Sequence, residues 1–268
     1  MDKIIDFHTH AFADSIAARA MSALSATANI NKEEICTDGT LDGLKAKLPD
    51  WGITNAVVLP IATKPAQQTT INNWAAEINN NGIFAFGTVH PDSEDTESEL
   101  RRIKKLGLFG VKLHPDYQNF FLFEDRVKPL LKTCEQLKLP VIIHMAYDPV
   151  SVEVRHAMPC HLAAVSGEFP KLIFIGAHFG GMYAWEEVEY YLAGRDNVWL
   201  DTSFTSGYID DGLMLSIIKK HGSDKILFGS DCPWFDPASE IKHIKSLGLS
   251  DNELDMIFYK SAEKLLKI

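Results

Sequence analysis

Asp6-Phe-His8-Thr-His10 closes a short apolar run near the start of the chain. On an extended strand, side chains two residues apart share a face and lie about 6.6 Å apart, a span that two imidazoles can bridge onto one metal ion through bonds of about 2.1 Å. Alone, the H-x-H pattern is a weak signal. It gains weight because four further apolar runs also end in ionisable groups. These are Lys112-Leu-His114, Pro140-Val-Ile-Ile-His144, Ile173-Phe-Ile-Gly-Ala-His178 and Ile226-Leu-Phe-Gly-Ser-Asp231. One buried histidine is most often a hydrogen-bonded core group, whereas such groups at the ends of five runs imply a shared site. Imidazoles with a carboxylate are donors for zinc, or for Mn²⁺ or Fe²⁺, and a bound divalent ion acidifies its water to a pKa of about 7.

The elements that would position these groups alternate. Continuous β-branched or apolar runs cover 3–8, 53–59, 83–89, 109–114, 140–144, 172–178, 197–202 and 226–230, the pattern of strands buried on both faces of a parallel sheet. Helical periodicity occupies the intervals. Residues 123–138 place Val127, Leu130, Leu131, Cys134 and Leu137 on one face. A second helix is expected over 93–106, with Ser93 as its cap and a stop at Gly107, and a third over 182–193. The last opens on the capping box Ser250-Asp-Asn-Glu253. Eight strand–helix units in 268 residues predict an α/β chain folded as one distorted (β/α)₈ TIM barrel spanning 1–268, with its site at the C-terminal ends of the strands. A doubly wound open sheet is the runner-up, but no glycine-rich phosphate fingerprint follows any strand. The connection over 11–40 reads as a long loop above the barrel mouth, a lid or specificity element.

Composition narrows the class. With 26 basic and 36 acidic residues the net charge is −10, against a nucleic-acid or anionic-membrane partner. No apolar run approaches the ~18 residues of a membrane helix. The start Met1-Asp2-Lys3-Ile4-Ile5-Asp6 turns polar before a secretory segment could form. Cys36, Cys134, Cys160 and Cys232 show neither zinc-ribbon nor disulfide spacing. The expectation is a cytoplasmic protein with a small-molecule substrate, a homodimer being the default assembly.

The ordered motifs Asp6-x-His8-x-His10, Gly110-Val-Lys-Leu-His-Pro115, Pro140-Val-Ile-Ile-His144, Ala177-His-Phe-Gly-Gly181 and Phe228-Gly-Ser-Asp-Cys-Pro-Trp234 resemble the metal-dependent amidohydrolase superfamily. The nearest branch is the amidohydrolase-related one that includes aminocarboxymuconate-semialdehyde decarboxylase. Each motif is loose; their order from first strand to last is specific. The resemblance implies a distorted barrel with zinc, or another divalent ion such as Mn²⁺, one per chain. It makes His8, His10, His144 and Asp231 the ligands, and His178 the acid–base beside the metal, with Asp231 taking the proton of the metal's water. It implies a hydrolase of an amide, lactone or ester; the alternative is a metal-dependent decarboxylase or hydratase with the same ligands. A catalytically silent barrel would show a broken ligand set, and here the set is intact.

Other residues carry two readings each. Lys112 binds a substrate carboxylate, or is carboxylated and bridges two metals. His114 touches substrate or packs on Pro115, and His90 lines the mouth or makes a loop hydrogen bond. Arg155, with Asp148 in the loop after 140–144, suits a substrate carboxylate or is a solvated loop charge. Trp234 and Phe235 wall the pocket or simply pack. His161, His221 and His243 receive no role, and Glu186, Glu187 and Glu189 read as a solvated helix face. Met145-Ala-Tyr-Asp departs from the family's small residues after the histidine and is expected to reshape the substrate side.

Overall fold

The computed structural model describes residues 3–31 and 34–268. Met1 and Asp2 of the N-terminal reading, and Lys32 and Glu33 of the first connection, lie outside them. Among the described residues, nine short strands run β1 Ile5–Thr9, β2 Asn55–Val58, β3 Ile83–Ala85, β4 Gly87–Thr88, β5 Val111–Leu113, β6 Val141–Ile143, β7 Phe174–Gly176, β8 Val198–Asp201 and β9 Ile226–Leu227. All neighbouring pairs are parallel, in sequence order, as β1–β3 and β4–β9. β3 and β4 are one expected strand broken at Phe86, whose N–H still bonds Val58 O at 3.1 Å. Phe7 N–H donates to Phe228 O and His10 N–H to Cys232 O, both at 2.7 Å, so the last strand returns to the first. The fold is a (β/α)₈ TIM barrel.

Helices fill the intervals: α1 Asp14–Ala28, α2 Leu41–Lys47, α3 Gln68–Ile78, α4 Thr96–Lys105, α5 Pro115–Gln118, α6 Lys128–Leu137, α7 Pro159–Glu168, α8 Trp185–Tyr191, α9 Asp211–His221, α10 Pro237–Ser246, α11 Asp251–Asp255 and α12 Ser261–Leu266. The box at Ser250 forms as expected, with Glu253 accepting the Ser250 N–H at 2.9 Å. Ser93 is not the cap of α4. Its hydroxyl accepts from Gln68 Nε2 and the Asp95 N–H, and the helix starts three residues later. The largest departure is α1, fifteen helical residues where a loop was expected. Its buried stripe is Ala17, Met21 and Ser25, and alanine's high helix propensity holds the helix with little apolar contrast.

Strand alternation sorts the core in two. Ile5, Phe7, Val57, Leu59, Phe86, Ile142, Ile175 and Trp199 fill the barrel, while Val58, Val111, Leu113, Val141, Ile143, Phe174 and Leu200 pack outward on the helices. Lys112 lies in register with Ile142, and so on the inward face. In β1 a bulge between Asp6 and Thr9 sets three steps against two of β2. The extra residue lets Phe7 stay in the interior while His8 and His10 turn to the mouth, a common use of bulges beside sites. Asp6 braces this strand end by accepting the N–H groups of His8 (3.1 Å) and Ser230 (3.0 Å).

The loop after β8 is held by a buried carboxyl on α10. Glu240 Oε1 accepts the N–H groups of Thr205 and Ser206 at 2.7 and 2.9 Å. Its Oε2 lies 2.9 Å from the Thr205 hydroxyl, which itself donates to Thr202 O at 2.9 Å. A protonated carboxyl satisfies every partner, since Oε2–H then donates to Thr205. Burial accordingly pushes its pKa from the ordinary 4.5 up to about 8. The native state keeps this proton while the unfolded chain releases it above about 4.5, so this contribution to stability is lost as pH rises from there to about 8. Glu240→Gln carries a permanent donor in place of that proton. Relative to wild type it should gain a few kcal/mol between pH 5 and pH 9. Urea unfolding at the two pH values checks this, and parallel curves would contradict it.

Candidate metal centre

The barrel mouth opens into a cavity of about 650 Å³ floored by His8, His10, Lys112, His114, His144, His178 and Asp231. His8 Nε2 and His10 Nε2 approach the same oxygen, Asp231 Oδ1, at 3.3 and 3.1 Å. Both rings are oriented from behind. His8 Nδ1 donates to Asp201 Oδ2 at 2.9 Å, and His10 Nδ1 to Leu59 O at 3.0 Å. With the Nδ1 protons thus engaged, both Nε2 lone pairs face a carboxylate oxygen. That arrangement is repulsive unless a cation sits between them, and a backing acceptor on Nδ1 is how proteins orient metal-binding imidazoles. The donor set therefore fits a divalent ion.

Charge agrees. Burial drives the His8 pKa well down, helped by the nearby Lys112 ammonium, and so favours the neutral ligand form. For Asp231, burial pushes upward, but His8, His10 and Lys112 outweigh it and the net direction is down. Its backbone sits in the left-handed region at φ 71°, its N–H bonded to His8 O at 2.8 Å; such a conformation in a non-glycine residue marks local strain of order 1–2 kcal/mol. His178 and Phe179 share that region at φ 56° and 54°.

His144 does not join this triad. Its Nδ1 lies 2.9 Å from His178 Nε2, and its Nε2 faces Tyr147 O at 3.0 Å and Asp148 Oδ2 at 3.4 Å. It forms a second group with His114 and Asp148, the two imidazoles stacked at 4.1 Å. Burial, with His144 beside it, pushes the His114 pKa down to about 4 despite Asp148. Asp148 itself ends well below the carboxylate range, because His114 and His144 outweigh its burial.

Lys112 is buried with Nζ 3.4 Å from His8 Nε2, and burial lowers its pKa to about 8 against the pull of Asp201, Asp231 and Asp148. His178 is buried too. Desolvation, then His144 and His8, hold its pKa well below the histidine range. Its Nδ1 meets Ser203 Oγ at 3.0 Å, and that hydroxyl also lies 3.0 Å from His8 Nδ1 and 2.5 Å from Asp201 Oδ1.

Arg155 is a correction to the expected substrate set. It does not line the cavity, and its guanidinium instead donates to the carbonyls of Ser151 and Val152 and covers the Tyr147 ring at 4.9 Å. His90 takes the loop reading, accepting from the Asp92 N–H at 3.2 Å. Trp234 lines the cavity, whereas Phe235 packs on Phe204. Asp201 and Ser203 were missed by the sequence reading, although Asp201 ends β8 and the strand-end rule that found His144 applies equally to it. Tyr147 and Asp148, from the Met145-Ala-Tyr-Asp departure, line the cavity, as do the tyrosines 117, 183 and 208, which carry no sequence signal.

Gly229 locks this geometry. A Cβ there would stand 2.9 Å from His8 Cβ and 3.4 Å from Asp201 Cβ. Gly229→Ala must push His8 off its Asp201 partner, so metal affinity should fall about tenfold or more, the usual cost of disturbing an orienting contact. Competition against a chromogenic chelator measures it; unchanged affinity would show that His8 does not depend on this packing.

The amidohydrolase family model matches residues 5–268. The chain belongs to the amidohydrolase family. No curated protein sequence matches this amidohydrolase. Among solved structures it is similar to an uncharacterised TIM-barrel protein from Bordetella bronchiseptica, with TM-score 0.79, 17% identity, and 99% and 98% of the two chains covered. It is also similar to 5-carboxyvanillate decarboxylase from Novosphingobium aromaticivorans complexed with manganese, with TM-score 0.74, 18% identity, and 99% and 96% covered. A third is a candidate 2-pyrone-4,6-dicarboxylic acid hydrolase from Pseudomonas putida, with TM-score 0.70, 17% identity, and 100% and 98% covered. At these identities the likeness is one of fold. Among the described residues, no helix of the amidohydrolase is long and apolar enough to cross a membrane.

Proposed function

We propose that this amidohydrolase hydrolyses an amide, lactone or ester of a small molecule with one divalent ion per chain, zinc or manganese. The observation that carries the reading is the pair of Nε2 lone pairs turned onto one oxygen of Asp231. His8, His10 and Asp231 would hold the ion; His144, expected as a fourth donor, has its ring nitrogens facing His178, Tyr147 and Asp148 and would have to turn to reach it. When bound, such an ion polarises a carbonyl and acidifies water to a pKa of about 7. Asp231 accepts the proton of the attacking water through its second oxygen. His178, neutral because it is buried, relays that proton to the leaving group. Lys112 supplies the positive charge that holds a substrate carboxylate. The aromatic side chains of Tyr147, Tyr183, Phe204 and Tyr208 line the cavity around it.

Decarboxylation is the second reading, favoured by the aromatic wall and by the decarboxylase with manganese among the similar folds. Turnover of a panel of lactones, esters, amides and hydroxybenzoates separates them. Hydrolysis predicts ¹⁸O uptake from labelled water that stops on metal removal. CO₂ release from a hydroxybenzoate without hydrolysis would replace it, and turnover indifferent to chelator would remove the metal.

Stoichiometry is a further expectation. Two ions about 3.5–4 Å apart repel strongly without an anionic bridge, and only a carboxylated Lys112 could provide one at that strand end. Elemental analysis of protein purified without chelator should give close to one ion per chain. A value near two, with a carbamate on Lys112, would overturn this and turn His178 into a ligand.

A further inference from the structure

The cavity does not end at the metal centre. Beyond His10 it continues between α1 and α3, along Ile16, Ala20 and Leu24 on one side and Ile61, Ile71 and Trp74 on the other. The α1 positions recur at four-residue spacing and form one stripe, separate from the Ala17–Met21–Ser25 stripe that packs α1 onto the body. Met21 packs on the backbone at Gly39, where a Cβ would stand 2.4 Å from the methionine, so the helix is seated closely and the free stripe is left facing the cavity. Ile71 and Trp74 likewise stand off the Asn72–Ala75 stripe that α3 buries. From Ile16 to Leu24 the groove follows about 12 Å of helix axis.

The chemistry of the two ends differs. Among the described residues, the charged or imidazole side chains that line the cavity belong to the strand ends and the loop after β6: His8, His10, Lys112, His114, His144, Asp148, His178 and Asp231. Among the described residues, the arm offers apolar groups with the hydroxyls and amide of Ser15, Thr63, Gln67 and Thr70. A charged extension placed there would lose hydration and find no counter-charge among the described residues, whereas an apolar one gains about 25 cal/mol per Å² of buried surface.

We infer that the substrate carries an aliphatic or aryl-alkyl extension of several carbons, which lies in this arm while its carbonyl or carboxylate head sits at the metal centre. This rests on the reading of that centre given above and adds the substrate class. Small residues at Ala20 and Ala23 keep the arm open, so bulk there shortens the extension that fits.

Titration calorimetry of the manganese-loaded protein with straight-chain carboxylates from acetate to decanoate tests it. Affinity should rise two- to fourfold for each methylene that enters the arm, as expected for burial of one CH₂. Ala20→Trp should cut the octanoate-to-acetate affinity ratio at least tenfold; Ala23→Phe serves the same purpose should the tryptophan variant not fold. Affinity independent of chain length, or a slope untouched by both substitutions, would overturn the arm. The same titration on metal-stripped protein keeps the two readings apart. The slope belongs to the arm, and the loss of acetate binding belongs to the metal centre. A preserved slope with undiminished acetate affinity would therefore sink the metal reading and leave the arm standing.

Discussion

Asp231→Asn should lower turnover by roughly 10²–10⁴-fold, the range for loss of a general base, while metal content falls far less. The amide retains the oxygen that both His8 and His10 face, so a ligand remains. What disappears is the negative charge and the ability to take a proton from water. The φ of 71° is a backbone property that asparagine tolerates as well as aspartate, and the N–H to His8 O bond survives. The substitution thus isolates proton acceptance from both ligation and folding. Metal per chain by elemental analysis, measured beside kcat on whichever ester or lactone turns over, gives the answer. Near-native kcat with normal metal content would remove Asp231 from the chemistry, and loss of both in proportion would make it a ligand only.

Much of this centre was legible because one rule governs parallel barrels. Side chains at the C-terminal ends of the strands converge on a single mouth, so His8, His10, Lys112, His114, His144, His178 and Asp231 could be grouped before any coordinates. What escaped was set by tertiary packing. The α1 helix has an Ala- and Ser-rich face whose burial shows no hydrophobic period, and it read as loop, so the apolar arm was invisible. Ser203 lies beyond the end of β8, in a loop whose Thr205 and Ser206 are held by Glu240 from a helix far along the chain; no local pattern announces such a contact. His144 stands at the expected strand end, yet its ring is shared between His178 and Asp148, a matter of side-chain rotation that spacing does not determine. Arg155 failed as a substrate ligand because carbonyls of its own loop lie closer to hand than the cavity.

His178→Asn should also cost roughly 10²–10⁴-fold in kcat, with metal per chain unchanged. The buried imidazole touches His144 through Nε2 and Ser203 through Nδ1, while the triad around Asp231 closes without it. Asparagine can keep one of those hydrogen bonds but cannot accept and pass on a proton. The pH profile adds a readout that a purely structural role would not move. Burial, with His144 and His8 nearby, holds the His178 pKa well below 6.5, and a divalent ion at the triad pushes in the same direction. The neutral, proton-accepting form therefore persists on the acid side, so His178 itself should add no acid limb to the kcat/KM profile in the ordinary histidine range. The residual activity of the asparagine variant should rise with an added small base such as imidazole. A fall in bound metal from two ions to one on the same substitution would instead make His178 a ligand, and with it would go both the single-ion centre and the proton relay assigned to this residue.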